Sequence, residues 1–198
     1  KKAVVLAPND AKVVWRAANL YAVNGDKTKA IETAQRLDEL LPNSTLAAKL
    51  TGDLQFLSGN LKEAQQAYEE MVKKAPENAV GWLMLAPIYK KQGDWRMAYW
   101  AYSRLKPDFL KKQPKLEQET LFQKAILARK LGKNDLAKQH YEELLKLAPK
   151  HSAAMNNLAK LYAQSGDRAL LKKAVELASQ ARQSDPKDDR ILQTLAYT

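Results

Sequence analysis

Apolar side chains fall three, four and seven residues apart in block after block of the 198-residue chain. Val14, Ala18 and Tyr21 form one such set, Trp82, Ala86 and Tyr89 a second, Leu121 and Ala125 a third, Met155, Ala159 and Tyr162 a fourth. That spacing lines one face of an α-helix. The sets recur in register, so the chain reads as repeats spanning 11–44, 45–78, 79–112, 118–151 and 152–188, the last with three extra residues. Within each repeat the eighth position is Ala18, Gly52, Ala86, Ala125 or Ala159. The alanine that opens the second half is Ala30, Ala64, Ala98, Ala137 or Ala174. Two antiparallel helices joined by a short turn approach closely only where side chains are minimal, and these two positions predict that crossing. Tyr68, Tyr102 and Tyr141, at the twenty-fourth position, fill the rest of the interface.

Glycine and proline carry the punctuation. Gly25, Gly59 and Gly93 are 34 residues apart, and Gly132 and Gly166 are again 34 apart after one interval of 39. Pro8, Pro42 and Pro76 keep the same spacing, while Pro149 and Pro186 follow Gly132 and Gly166. Glycine adopts the left-handed conformation that closes a helix, and proline cannot continue one. A fixed period of this length signals a stack of repeated supersecondary units.

The pattern resembles the tetratricopeptide repeat (TPR) family in YAVNGDKTKA, FLSGNLKEA, YKKQGDWRMA and YAQSGDRALLKKA. The resemblance implies an all-α fold: a right-handed solenoid of antiparallel helix pairs, with five full repeats and partial repeats at both ends. Residues 1–10 then read as the end of a preceding repeat and 189–198 as the first helix of a following, truncated one. Residues 79–117 hold the third repeat plus an irregular join. Three local departures stand out. Leu110 occupies the repeat-ending proline position, Lys124 replaces an apolar residue, and Pro87 falls in the middle of a first helix, where it is expected to kink or shorten it. Ends without polar caps imply a segment of a longer array.

The residue types present exclude several kinds of chemistry. With no Cys and two His, a disulfide framework, a thiol nucleophile and a Cys or Cys/His zinc site are ruled out. The longest apolar stretch, 79–89, is too short to span a bilayer. His140 and His151 read as exposed or turn histidines. The pairs Glu69/Glu70, Glu142/Glu143 and Asp188/Asp189 read as solvated carboxylates. No phosphate-binding loop or nucleophile elbow occurs. We therefore expect no catalytic residue, no metal and no cofactor.

The resemblance implies instead a concave groove lined by the first helix of each pair. By repeat register its partner-binding residues are Lys12, Trp15, Asn19, Lys49, Asp53, Phe56, Lys90, Lys91, Phe122, Ile126, Arg129, Lys130, Asn156 and Lys160. Aromatic anchors among cations suit a partner with an acidic or mixed apolar and acidic surface. The opposite reading, in which the aromatics pack between repeats and the lysines only solubilise, stays open. Charge is concentrated as well: 86–133 holds twelve Lys or Arg against four acids, a net of +8 out of +11. This strip includes Lys106, Lys111, Lys112 and Lys115 in the join KPDFLKKQPKLEQ, which is expected to form a long basic loop.

The arrangement that clamps chaperone tails in some TPR proteins is not expected, since the five matching positions hold Trp15, Asn19, Leu50, Val80 and Met84 and only Asn19 fits it. The ending AVELASQARQSDPKDDRILQTLAYT is similar to TPR scaffolds and lipoproteins of bacterial exopolysaccharide export, including PEP-CTERM-type systems. That resemblance implies a periplasmic or envelope location, with the cytoplasm not excluded. The expected function is a non-catalytic protein-binding scaffold. Binding of an anionic polysaccharide or nucleic acid, and a structural spacer or self-assembling array, are the alternatives.

Overall fold

A computed structural model describes residues 9–197. Among them the chain is all-α: α1 (Ala11–Val23), α2 (Lys27–Leu40), α3 (Leu46–Leu57), α4 (Leu61–Lys74), α5 (Ala79–Gln92), α6 (Trp95–Ser103), α7 (Pro107–Lys111), α8 (Pro114–Lys130), α9 (Asn134–Leu147), α10 (Ser152–Ala163), α11 (Arg168–Ser184) and α12 (Asp189–Tyr197). The expectation that residues 1–7 end an earlier helix lies outside the described residues. The chain divides into two units between Asp94 and Trp95, inside the third repeat.

In the N-terminal unit, α1 packs on α2 and α3 on α4, and α2 meets α3 as α4 meets α5. In the C-terminal unit α6 packs on α8, α8 on α9, α9 on α10 and α10 on α11, while α12 lies against both α10 and α11. The ten small residues that predict the crossings are all buried. Gly52 shows why size matters there. A Cβ at this position would lie 2.5 Å from Tyr68 Cε1, and Tyr68 is fixed by a 2.7 Å hydrogen bond from its hydroxyl to Asp53 Oδ1. The five periodic glycines all have φ between 73° and 81°, where a Cβ is strained. Helix starts are capped by Asp10, Asp26, Asn78 and Asp167 through their side-chain oxygens.

Two expectations about irregular places are corrected. Pro87 does not shorten its helix: α5 runs 14 residues through it to Gly93. The join is not a long loop either. Pro107 and Pro114 each sit in the first turn of a helix, α7 and α8, and α8 begins ahead of the expected repeat start at 118. Proline is favoured at that place because the missing N–H would have no intrahelical partner anyway.

Candidate functional site

In the N-terminal unit, the register-predicted residues largely satisfy one another. The Lys49 ammonium pairs with Asp53 at 2.6 Å, and Asp53 also accepts the Tyr68 hydroxyl. Asn19 Nδ2 donates to the Trp15 carbonyl at 2.8 Å. Lys91 Nζ lies 5.1 Å from the centroid of the Phe56 ring, a cation–π distance. Lys12 and Trp15 are exposed, and Lys90 is half-buried. The structure thus joins Lys49 to Asp53 and Phe56 to Lys91, leaving Lys12 apart from both pairs.

The C-terminal unit brings more of them together. Phe122, Ile126 and Arg129 of α8 and Asn156 and Lys160 of α10 line one pocket of about 270 Å³, along with Ala153, Asn157, Asp188 and Arg190. Asp188 and Arg190 lie outside the register-predicted groove set. Asp188 is not the solvated carboxylate that its pairing with Asp189 suggests: its side chain is only 10% exposed and grips the Arg190 guanidinium through 2.8 and 2.7 Å bonds. That contact holds the Asp188 carboxyl below its usual range, with Lys160 adding a smaller effect. Arg190 occupies the second position of the next repeat, so extending the register past 188 would find it. Lys130 turns instead to the Trp95 ring, 5.6 Å away. Lys106, Lys111, Lys112 and Lys115 are exposed and do not line this pocket.

The histidines differ from expectation in one case. His140 is buried, 7% exposed, with Nε2 hydrogen-bonded to the Tyr99 hydroxyl at 3.0 Å. Burial lowers its pKa, the Lys124 charge lowers it further, and Glu143 opposes both. Lys124, placed where an apolar residue belongs, lies 5.6 Å from the Tyr99 ring, and burial depresses its own pKa. The expectation of an exposed His140 fails because Tyr99 comes from a different repeat, and its cover cannot be seen from helix position alone. His151 is a turn residue, as expected; its Nδ1 accepts from Ala154 N at the start of α10. Among the described residues no group of three or more metal-ligating side chains gathers, and no helix is long and apolar enough to cross a membrane.

A family model described as "Tetratricopeptide repeat" matches residues 16–79 and 122–189. The unmatched segment between them contains Pro87 with nearly all of α5, and the helical join. A curated relative, Tetratricopeptide repeat protein 21A of Mus musculus, is 29% identical over 93 residues, 47% of this chain but only 7% of that protein. Among solved structures, one described as YrrB, "a TPR protein with an unusual peptide-binding site", superposes with a TM-score of 0.76. It shares 21% identity over 97% of this chain and 95% of its own. A structure of MamA gives 0.68 at 16% identity, covering 91% and 94% of the two chains. A TPR protein from Parabacteroides merdae ATCC 43184 gives 0.69 at 20% identity, covering 94% and 71%. At these identities the structural likeness speaks to the fold.

Proposed function

Because this chain belongs to the tetratricopeptide repeat family, we propose that it is a non-catalytic scaffold that holds a protein partner on the first-helix surface of its C-terminal unit. One observation carries the reading. Five residues chosen by repeat register, on two helices far apart in sequence, converge on a single pocket with both apolar and cationic walls. The peptide-binding site named for the structurally similar YrrB agrees with this use of the fold. Folded chain immobilised as bait should retain a partner that R129E/K160E loses, with circular dichroism unchanged. A parallel K90E/K91E variant reports on the N-terminal unit. Equal capture by all three proteins would overturn the groove assignment.

The proposal extends to bacterial envelope or exopolysaccharide assembly, a setting supported only by the similarity of the 174–198 segment to scaffolds of those systems. Cell fractionation of the native protein tests it. A second reading draws on Trp100, 43% exposed with the Arg104 guanidinium 5.9 Å from its ring centroid. Such a surface suits stacking on an anionic polymer. Titration with labelled RNA, DNA and an alginate-like polymer at two salt concentrations tests this reading, and absence of binding at low salt removes it.

A further inference from the structure

The outward face of α6 carries a row of side chains that no other second helix of the chain repeats, and the inference drawn from it rests on the anionic-polymer reading above. Arg96, Trp100 and Arg104 stand four residues apart, so they share one side of the helix. Arg104 lies just past the end of α6 but keeps its register, since its N–H still donates to the Trp100 carbonyl at 3.1 Å. Ala98 and Ala101 on the opposite side are fully buried, whereas all three members of the row are exposed. An indole is thus flanked by a guanidinium on each side, along a line of about 12 Å at 1.5 Å per residue.

The same positions on the other second helices, aligned on the buried alanine near the start of each, always include a carboxylate. It is Glu32 in α2, Glu70 in α4, Asp135 and Glu143 in α9, and Glu176 in α11. In α6 the row has none, and neither does the rest of the helix, WRMAYWAYS. Outward helical positions ordinarily carry solvated charge of both signs. A tryptophan 43% exposed between two cations departs from that rule. Positive charge continues past the row: Lys106 caps the start of α7, and Lys111 and Lys112 follow, all of them exposed.

The indole face already accepts a flat group, the Arg104 guanidinium, 5.9 Å from the ring centroid. A nucleobase is flat in the same way, and the guanidinium fork matches a phosphate bidentately. One base with a phosphate on either side therefore meets all three side chains at once. In a duplex the bases cover one another, so an exposed stacking platform calls for a single strand. An acidic polysaccharide offers the charge but only puckered rings. We infer that the row of Arg96, Trp100 and Arg104 binds single-stranded nucleic acid. A base stacks on Trp100, the neighbouring phosphates pair with Arg96 and Arg104, and Lys106 extends the track.

The test is fluorescence anisotropy with three labelled probes: an oligothymidylate of about 15 nucleotides, on the scale of known single-strand sites, the same strand annealed to oligoadenylate, and an alginate-like polymer. We expect the single strand to bind at least tenfold more tightly than the duplex at low salt. Trp100→Ala should weaken single-strand binding at least fivefold, and Trp100→Phe, which keeps a stacking ring, should recover part of the loss. R96Q/R104Q should flatten the slope of log affinity against log salt by about 1.4, the share of two phosphate contacts. The circular dichroism spectrum should be retained throughout, because the row is exposed. Equal affinity for strand and duplex, single-strand binding indifferent to Trp100→Ala, or an unaltered salt slope would overturn the inference. Binding of the alginate-like polymer alone, lost on Trp100→Ala, would leave the anionic-polymer reading standing and overturn this one. Absence of binding by every probe at low salt would overturn both.

Discussion

The Tyr162 hydroxyl donates a 2.6 Å hydrogen bond to Glu142 Oε1, twenty residues earlier and one repeat away. Tyr89 makes the same bond to Glu69 Oε1 at 2.9 Å, across the same twenty residues. The two pairs occupy equivalent repeat positions, the eleventh and the twenty-fifth. Where the tyrosine is missing, as at Gln55 and Ala128, the glutamate of the preceding repeat is missing too, replaced by Gln35 and Ser103. The bond therefore fastens one helix pair to the next at chosen interfaces. Tyr162→Phe should lower stability by about 1 kcal/mol, the net value of such a bond. Glu142→Gln should add little to it in a double-mutant cycle read by urea denaturation.

The same tyrosines predict behaviour at high pH. Burial first, and then the hydrogen bond to a carboxylate, raises the pKa of Tyr68, Tyr89 and Tyr162 above the ordinary value. The unfolded chain loses these protons near pH 10 while the folded chain keeps them. Their contribution is thus complete below pH 10 and is lost as pH rises beyond it. Absorbance at 295 nm should show part of the tyrosine signal titrating late, and Tyr162→Phe should flatten the alkaline fall in unfolding midpoint.

At the acid end His140 acts with the opposite sign. Its folded pKa lies below the unfolded value because burial and then Lys124 disfavour the cation. The unfolded state accordingly binds more protons once pH falls below about 6.5, and stability declines from there downward. His140→Gln should remove most of the decline measured between pH 7.5 and 5.5. Lys124→Met should move the His140 titration upward, read directly from its ring proton shifts by NMR.

Gly81 is a steric requirement in α5. A Cβ there would overlap Val72 Cγ1, which α4 holds buried. Alanine gains about 1 kcal/mol of helix propensity, but overpacking of this kind costs about 1–3 kcal/mol. The net expectation for Gly81→Ala is a modest loss of stability in thermal unfolding. Val72→Ala in the same chain should recover part of it by making room for the new methyl.

Small residues at the crossings, left-handed glycines and the helix period are legible in the sequence because each follows from local geometry repeated five times. Ala18 and Ala30, like Ala159 and Ala174, are fully buried for the reason their positions imply. Contacts made between repeats are not legible in this way. His140 is covered by Tyr99 from outside its own repeat, and the only hint is Lys124 standing where an apolar residue belongs. Asp188 and Arg190 escape because the groove positions are counted over complete repeats, and Arg190 belongs to the next one. Pro107 and Pro114 suggest a loop, although the same residue also starts helices.

Those two prolines bear on how the chain withstands digestion. Insertions in repeat arrays become exposed tethers, where proteases cut first. Here the inserted segment carries Lys106, Lys111, Lys112 and Lys115, the side chains a trypsin-like enzyme selects, yet Lys111 is wound into α7 and Lys115 into the opening turn of α8, while Lys106 and Lys112 cap the two ends of α7. The Lys106–Pro107 bond is itself a poor substrate for such an enzyme, since proline follows the lysine. The extra residues lengthen the chain largely as helix, which leaves the exposed Lys112–Gln113 link between α7 and α8 as the place in the join where cleavage is expected first.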